Sequence, residues 1–175
     1  MEMQTLDKRA ITLRIPEDTI FSSLSPTKTI KPNIDISLTE YSYEPKVSDP
    51  KYDWVASAAI PAMLALREKF TMQGQNVKEF CTIGTGTGTD ALAAMEIFNP
   101  SNIVVTDIHQ SVVDHAVKNI KTNLIDKEKV TVNGVVGDLC APLLEAGYKF
   151  DLIYENLPNI RPCKLNCVTA HYLIL

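Results

Sequence analysis

Chemistry is first legible in this chain in the spacing of Gly84-Thr85-Gly86-Thr87-Gly88. Glycines at alternate positions let the backbone adopt φ angles closed to other residues and approach a ligand closely. A tight turn between a strand and a helix needs the same residues with no ligand at all. The second clue is Asp107, 19 residues after Gly88. At the end of a following strand, a carboxylate can accept hydrogen bonds from both hydroxyls of a ribose; the plain alternative is a capping or surface acid. Together the two features point to a nucleoside-containing ligand. Two registers of the glycines stay open: Gly86-x-Gly88-x-x-Ala91 satisfies the dinucleotide pattern but begins late after the strand, whereas the alternating glycines directly after it suit an amino-acid and ribose moiety without a pyrophosphate. In the tail, Cys163, Cys167 and His171 recur at steps of four, which on a helix would align three metal ligands. A fourth ligand is missing and the spacing matches no common zinc motif, so these residues read as packing and no metal is expected.

These residues need elements to position them. The apolar positions Val55, Ala59, Met63, Leu66 and Phe70 make a helical stripe, interrupted at Pro61, which predicts a kink or two short helices. After Gly74 the pattern alternates between strand and helix. Val77 to Ile83 reads as a buried strand, the glycine turn follows, and Ala91 to Phe98 is a helix stopped by Asn99-Pro100. Ile103 to Thr106 is the second strand of this series. Ser111 is the expected cap of a helix carrying Val112, Val113, Ala116, Val117, Ile120 and Leu124 on one face. Val130 to Val136 and Phe150 to Tyr154 are the third and fourth strands. Such alternation predicts an α/β fold, a Rossmann-like parallel sheet flanked by helices. Before it, the run Ile11-Thr12-Leu13-Arg14-Ile15 and five prolines up to residue 50 predict an N-terminal arm or strand pair over residues 1–51, leaving residues 52–175 for the ligand-binding domain.

Composition narrows the classes. The chain has 175 residues, 45% of them hydrophobic and 22% charged, enough for a core and unlike a disordered chain. Its net charge of −4 lacks the footprint of a dedicated nucleic-acid binder. No apolar run resembles a signal peptide or a membrane span, so a soluble cytoplasmic protein is the expectation. The four cysteines then read as reduced thiols.

Four segments in order carry a resemblance. They are Phe80 to Leu92 with the glycine turn, Val105-Thr-Asp-Ile108, Val136-Gly-Asp-Leu139, and Phe150 to Ile160 with Asn156-Leu157-Pro158. Over roughly residues 77–160 the chain resembles the class I S-adenosylmethionine-dependent methyltransferases, most of all the branch that includes the release-factor glutamine methyltransferases. The resemblance implies S-adenosyl-L-methionine as cofactor. It implies that Gly84, Thr85, Gly86 and Gly88 hold the methionine part, Asp107 the ribose, and Ile108 packs on the adenine. Asp138 would reach the adenine amino group, with Leu139 giving a backbone contact. The catalytic pair would be Asn156, orienting an acceptor nitrogen, and Pro158, rigidifying its loop. An amide nitrogen is a poor nucleophile, so hydrogen bonds that aim its lone pair at the sulfonium methyl supply much of the acceleration.

Two positions depart from the family pattern. Thr82 stands where an acid is usual, and Asn159 where an aromatic residue usually stacks on the target. A nucleobase acceptor would then need Tyr154, Tyr52 or Trp54 to supply the ring. The expected acceptor is a small molecule or a protein, with nitrogen favoured over oxygen. Two other functions stand beside transfer: a nucleoside-cofactor-binding module without catalysis, and an NAD-dependent oxidoreductase using the late glycine register. A family domain also continues with further strands after the fourth, so the domain is expected to be short at its C-terminal side. Its open sheet edge then calls for the N-terminal arm, a partner or a second copy as cover.

Overall fold

The computed structural model describes residues 8–14, 29–37, 59–124 and 129–157, of which 8–14 and 29–36 are described by their backbone. Its centre is a parallel sheet of β3 (Glu79–Ile83), β4 (Asn102–Asp107), β5 (Thr131–Val136) and β6 (Leu152–Glu155), in the spatial order β5-β4-β3-β6. Between them run α2 (Thr89–Phe98), α3 (Gln110–Thr122) and the short α4 (Ala141–Glu145), and α1 (Ile60–Met72) precedes β3. The architecture is α/β and Rossmann-like, as the alternation predicts.

The two faces of the sheet are covered unequally. Phe80, Ile103, Val105, Val132 and Leu152 join Ile60, Met63, Leu92, Met95, Ala116 and Ile120 in the main core, so α1, α2 and α3 share one side. Cys81, Ile83 and Val104 point to the other side, where Leu143 of α4 covers them. The chain builds outward from β3 through β4 to β5 and then returns past β3 to lay down β6. With right-handed crossovers, that reversal puts the last connecting helix on the opposite face.

Sequence and structure differ at the helix starts. Pro61 lies in the first turn of α1 rather than inside a longer helix. There its missing N–H has no helical partner to lose, so it starts the helix instead of kinking it. Ala59, Met63, Leu66 and Phe70 do turn to the core, while Val55 lies outside the described residues. Ser111 is not the cap of α3. His109 holds that position without a side-chain cap bond, and the Asp107 carboxylate accepts the His109 N–H at 3.2 Å. Ser111 is buried in the first turn.

The strand pair expected near the N-terminus is an antiparallel ladder of β1 (Lys8–Arg14) and β2 (Thr29–Ser37). Its register shifts between Ile11 and Leu13, where the paired residues on β2 jump from Ile34 to Lys31. Pro32 falls in that gap. A proline donates no ladder bond and is accommodated at an irregularity of this kind. β2 packs against α2 and α3. Among the described residues β6 has β3 as its single ladder neighbour, so the strand pair does not extend the sheet at β6.

Candidate functional site at the C-terminal sheet edge

Because all four strands are parallel, the segments that follow them emerge on one edge of the sheet. Across that edge the order is Asp138-Leu139, Asp107-Ile108, the glycine turn, and Asn156-Leu157. Neighbouring segments are tied together. The Thr85 N–H donates to the Thr106 carbonyl at 2.8 Å, and the Gly137 N–H donates to the Asp107 carbonyl at 3.1 Å. The connection leaving β3 runs through α2 on one face of the sheet and the connection into its neighbour β6 runs through α4 on the other, and the crevice where the strand order reverses in this way is where open α/β sheets bind ligands.

The three glycines of the turn all have left-handed backbones, with φ of 68° at Gly84, 53° at Gly86 and 81° at Gly88. Their surroundings differ. A Cβ on Gly84 would sit 2.5 Å from Leu157 Cδ2, and one on Gly88 would sit 3.1 Å from the Ala116 carbonyl oxygen of α3. A Cβ on Gly86 would meet nothing within 4 Å among the described residues. Gly84 thus admits the segment after β6, Gly88 admits the neighbouring helix, and Gly86 alone faces open space. In the register that begins at Gly84 the middle glycine is the open one, whereas in the late register the middle glycine, Gly88, packs against helix α3.

Thr85 Oγ1 is buried within this turn with no hydrogen-bond partner among the described residues. An unmade bond of this kind costs about 1–3 kcal/mol unless a ligand or water supplies it. The open Gly86 and the unbonded Thr85 hydroxyl are two features of a cradle that a small polar ligand fits. Thr87 is satisfied differently, its hydroxyl sharing a 2.6 Å hydrogen bond with that of Thr89.

At the β4 and β5 ends the edge is apolar above its carboxylates. Ile108 is 63% exposed and Leu139 48%, and Val136, which pairs with Asp107, is exposed too. Leu139 also has φ of 50°, a strained conformation for a side chain of its size. Asp138 is exposed and Asp107 half-buried. Three exposed apolar side chains beside two carboxylates suit a flat heterocycle joined to a sugar.

On the far side of the turn, Asn156 is half-buried, and Leu157 joins the smaller core through its contact at Gly84. Pro158 lies outside the described residues, as do Asn159, Tyr52, Trp54, Cys163, Cys167 and His171. Tyr154 packs against the main core rather than facing the edge. Thr82 is fully enclosed, and its hydroxyl has no hydrogen-bond partner among the described residues. Among those residues no three His, Cys, Asp or Glu side chains gather as metal ligands, and no helix is long and apolar enough to cross a membrane.

Two residues here carried no signal in the spacing. Glu155 pairs with Ile83 and ends β6 beside the glycine turn as an exposed carboxylate. Asn119 is buried on α3 and its side-chain nitrogen donates to the Thr87 carbonyl at 2.9 Å. A polar residue in the apolar stripe of α3 was the available clue to Asn119. No protein-family model matches this chain, and no curated protein matches it either.

Proposed function

We propose that this chain binds S-adenosyl-L-methionine along the C-terminal edge of its sheet and transfers the methyl group to a nitrogen of a small-molecule or protein acceptor. The observation that carries the reading is the alignment of four turns on one edge, with Gly86 as the open glycine between Asp107 and Asn156. Thr85 and Gly86 would hold the methionine part, with Gly84 and Gly88 shaping the turn. Asp107 would accept the ribose hydroxyls, and Ile108 and Leu139 would flank the adenine within reach of Asp138.

Bound S-adenosylmethionine supplies an electrophilic methyl on a sulfonium. The protein's task is then to place a nucleophile in line with it. The Asn156 side-chain oxygen would accept a hydrogen bond from the acceptor N–H and turn the nitrogen lone pair toward the methyl, and Pro158 would restrict the loop. The acceptor gains the methyl and loses one proton to solvent. Such positioning needs no strong base.

Titration of the protein with S-adenosylhomocysteine tests the binding half. Ligand at 100 times its dissociation constant stabilises the fold by about 2.7 kcal/mol, read as a rise in melting temperature. Asp107→Ala should abolish most of that rise. An absent shift in the wild-type protein, or a shift with NAD in its place, overturns the reading. For transfer, labelled methyl should pass to a component of a cell extract and this signal should vanish in Asn156→Ala. The enclosed Thr82, at a position where the resembled family carries an acid, supports a second reading as a binding module without turnover; binding with no labelled product is its signature.

A further inference from the structure

We infer that Asn119 is a positioning residue that fastens the N-terminal strand pair to the glycine turn, so that docking of the pair and occupancy of the turn are coupled. The coupling half rests on the reading of the turn as a ligand site; the fastening half stands without it.

Asn119 is 2% exposed and lies on the face of α3 that otherwise carries Val112, Val113, Ala116 and Ile120. A buried amide in such a stripe is costly unless its hydrogen bonds are made. Here all four are. Oδ1 accepts from the Ser37 N–H at 2.8 Å and from the Ser37 hydroxyl at 2.9 Å. Nδ2 donates to the Ser37 carbonyl and to the Thr87 carbonyl, each at 2.9 Å. One side chain thereby joins a strand 82 residues distant and a turn 32 residues distant.

The geometry admits a single orientation of the amide. Two partners are carbonyls and need donors, and the Ser37 N–H needs an acceptor, so a flipped amide fails at three of its four bonds and could keep only the one to the Ser37 hydroxyl. An aspartate cannot substitute, because its oxygen would face both carbonyls. The bond to the turn falls at Thr87, between the open Gly86 and Gly88, which itself packs against Ala116 one helical turn before Asn119. Any ligand that fixes the turn therefore also fixes the amide that holds Ser37, and coupling between two sites works in both directions.

Amide hydrogen exchange on the full chain, with S-adenosylhomocysteine as probe, tests this. In Asn119→Asp, exchange should quicken about tenfold both at Ser37 and across Gly86 to Gly88, the effect of losing the two bonds that Nδ2 donates to the Ser37 and Thr87 carbonyls. In the wild-type protein, saturating probe should slow exchange at Ser37, which lies outside the proposed site; a purely structural asparagine would leave that ligand dependence flat. Ser37→Ala keeps the bond to Thr87 and should weaken probe affinity a few-fold. Exchange that quickens at Ser37 but not in the turn, or probe binding that leaves Ser37 unchanged, overturns the coupling. If Asn119→Asp fails to fold, the Ser37→Ala affinity and the wild-type exchange decide. If the wild-type protein does not bind the probe, the proposed function falls, and exchange in Asn119→Asp without ligand still decides the fastening.

Discussion

At the scale of single residues, the three glycines of one turn have three different reasons to be glycine. Gly84→Ala would meet both a left-handed backbone and the Leu157 side chain, whereas Gly86→Ala meets only the backbone. A left-handed conformation costs a side chain about 1–2 kcal/mol. We expect Gly86→Ala to lose about that much stability, and Gly84→Ala to lose more because Leu157 must move; urea denaturation midpoints would rank them. Cysteine chemistry divides just as sharply. Cys81 is buried, and desolvation, with a smaller contribution from Cys140, pushes its thiol up from 9.0 to about 12. The fold therefore favours the neutral thiol. That stability is complete below pH 9.0 and is lost progressively as pH rises toward about 12, because the unfolded chain releases the proton first. Below pH 9.0 a thiol reagent should label the exposed Cys140 and spare Cys81 in the native protein. Labelling of Cys81 at the same rate as Cys140 would contradict the burial.

At the scale of elements, the two edges of the sheet are built differently. Opposite the candidate site, Asp151 Oδ2 accepts the N–H groups of Lys78 at 2.7 Å and Glu79 at 2.9 Å, and the Asp151 N–H donates to the Glu79 carbonyl. Asn102 donates to the Glu79 carboxylate on the same edge. These bonds stitch the starts of β3, β4 and β6 together. The site edge instead leaves Thr85 Oγ1 without a hydrogen-bond partner among the described residues, and Leu139 strained. Asp151→Ala should cost about 1 kcal/mol, below the usual range for a charged acceptor because the carboxylate is exposed, and should leave ligand binding unchanged. Chemical denaturation and the ligand titration together check it. β3 and β4 were legible in the sequence because a buried parallel strand reads as an apolar run, and α3 because it reads as a stripe. The helix starts were less legible. Pro61 has the same identity whether it kinks a helix or begins one, and Ser111 resembles a cap although Asp107 already receives the His109 N–H.

For the molecule as a whole, two cores of unequal size hold one sheet. Leu92 is wholly enclosed in the larger, and Leu143 is the one α4 side chain among the buried members of the smaller. Leu92→Ala should cost about 3–5 kcal/mol and Leu143→Ala about 2–3 kcal/mol, since the thinner layer relaxes around its cavity more readily. Equal losses in calorimetric unfolding would show that both faces are packed alike. The sequence by itself determined the alternation of strand and helix, the parallel sheet, and the residues of each turn. These are local properties of periodicity and of residue type. Only the tertiary structure decided that Gly86 faces open space while Leu157 and Ala116 fill the space beside Gly84 and Gly88. It also decided that α4 is the helix that covers the second face among the described residues, and that Asn119 joins Ser37 to Thr87. Each of those depends on which distant segments meet, and segments 32 or 82 residues apart meet through the packing of the sheet and its helices rather than through any local pattern.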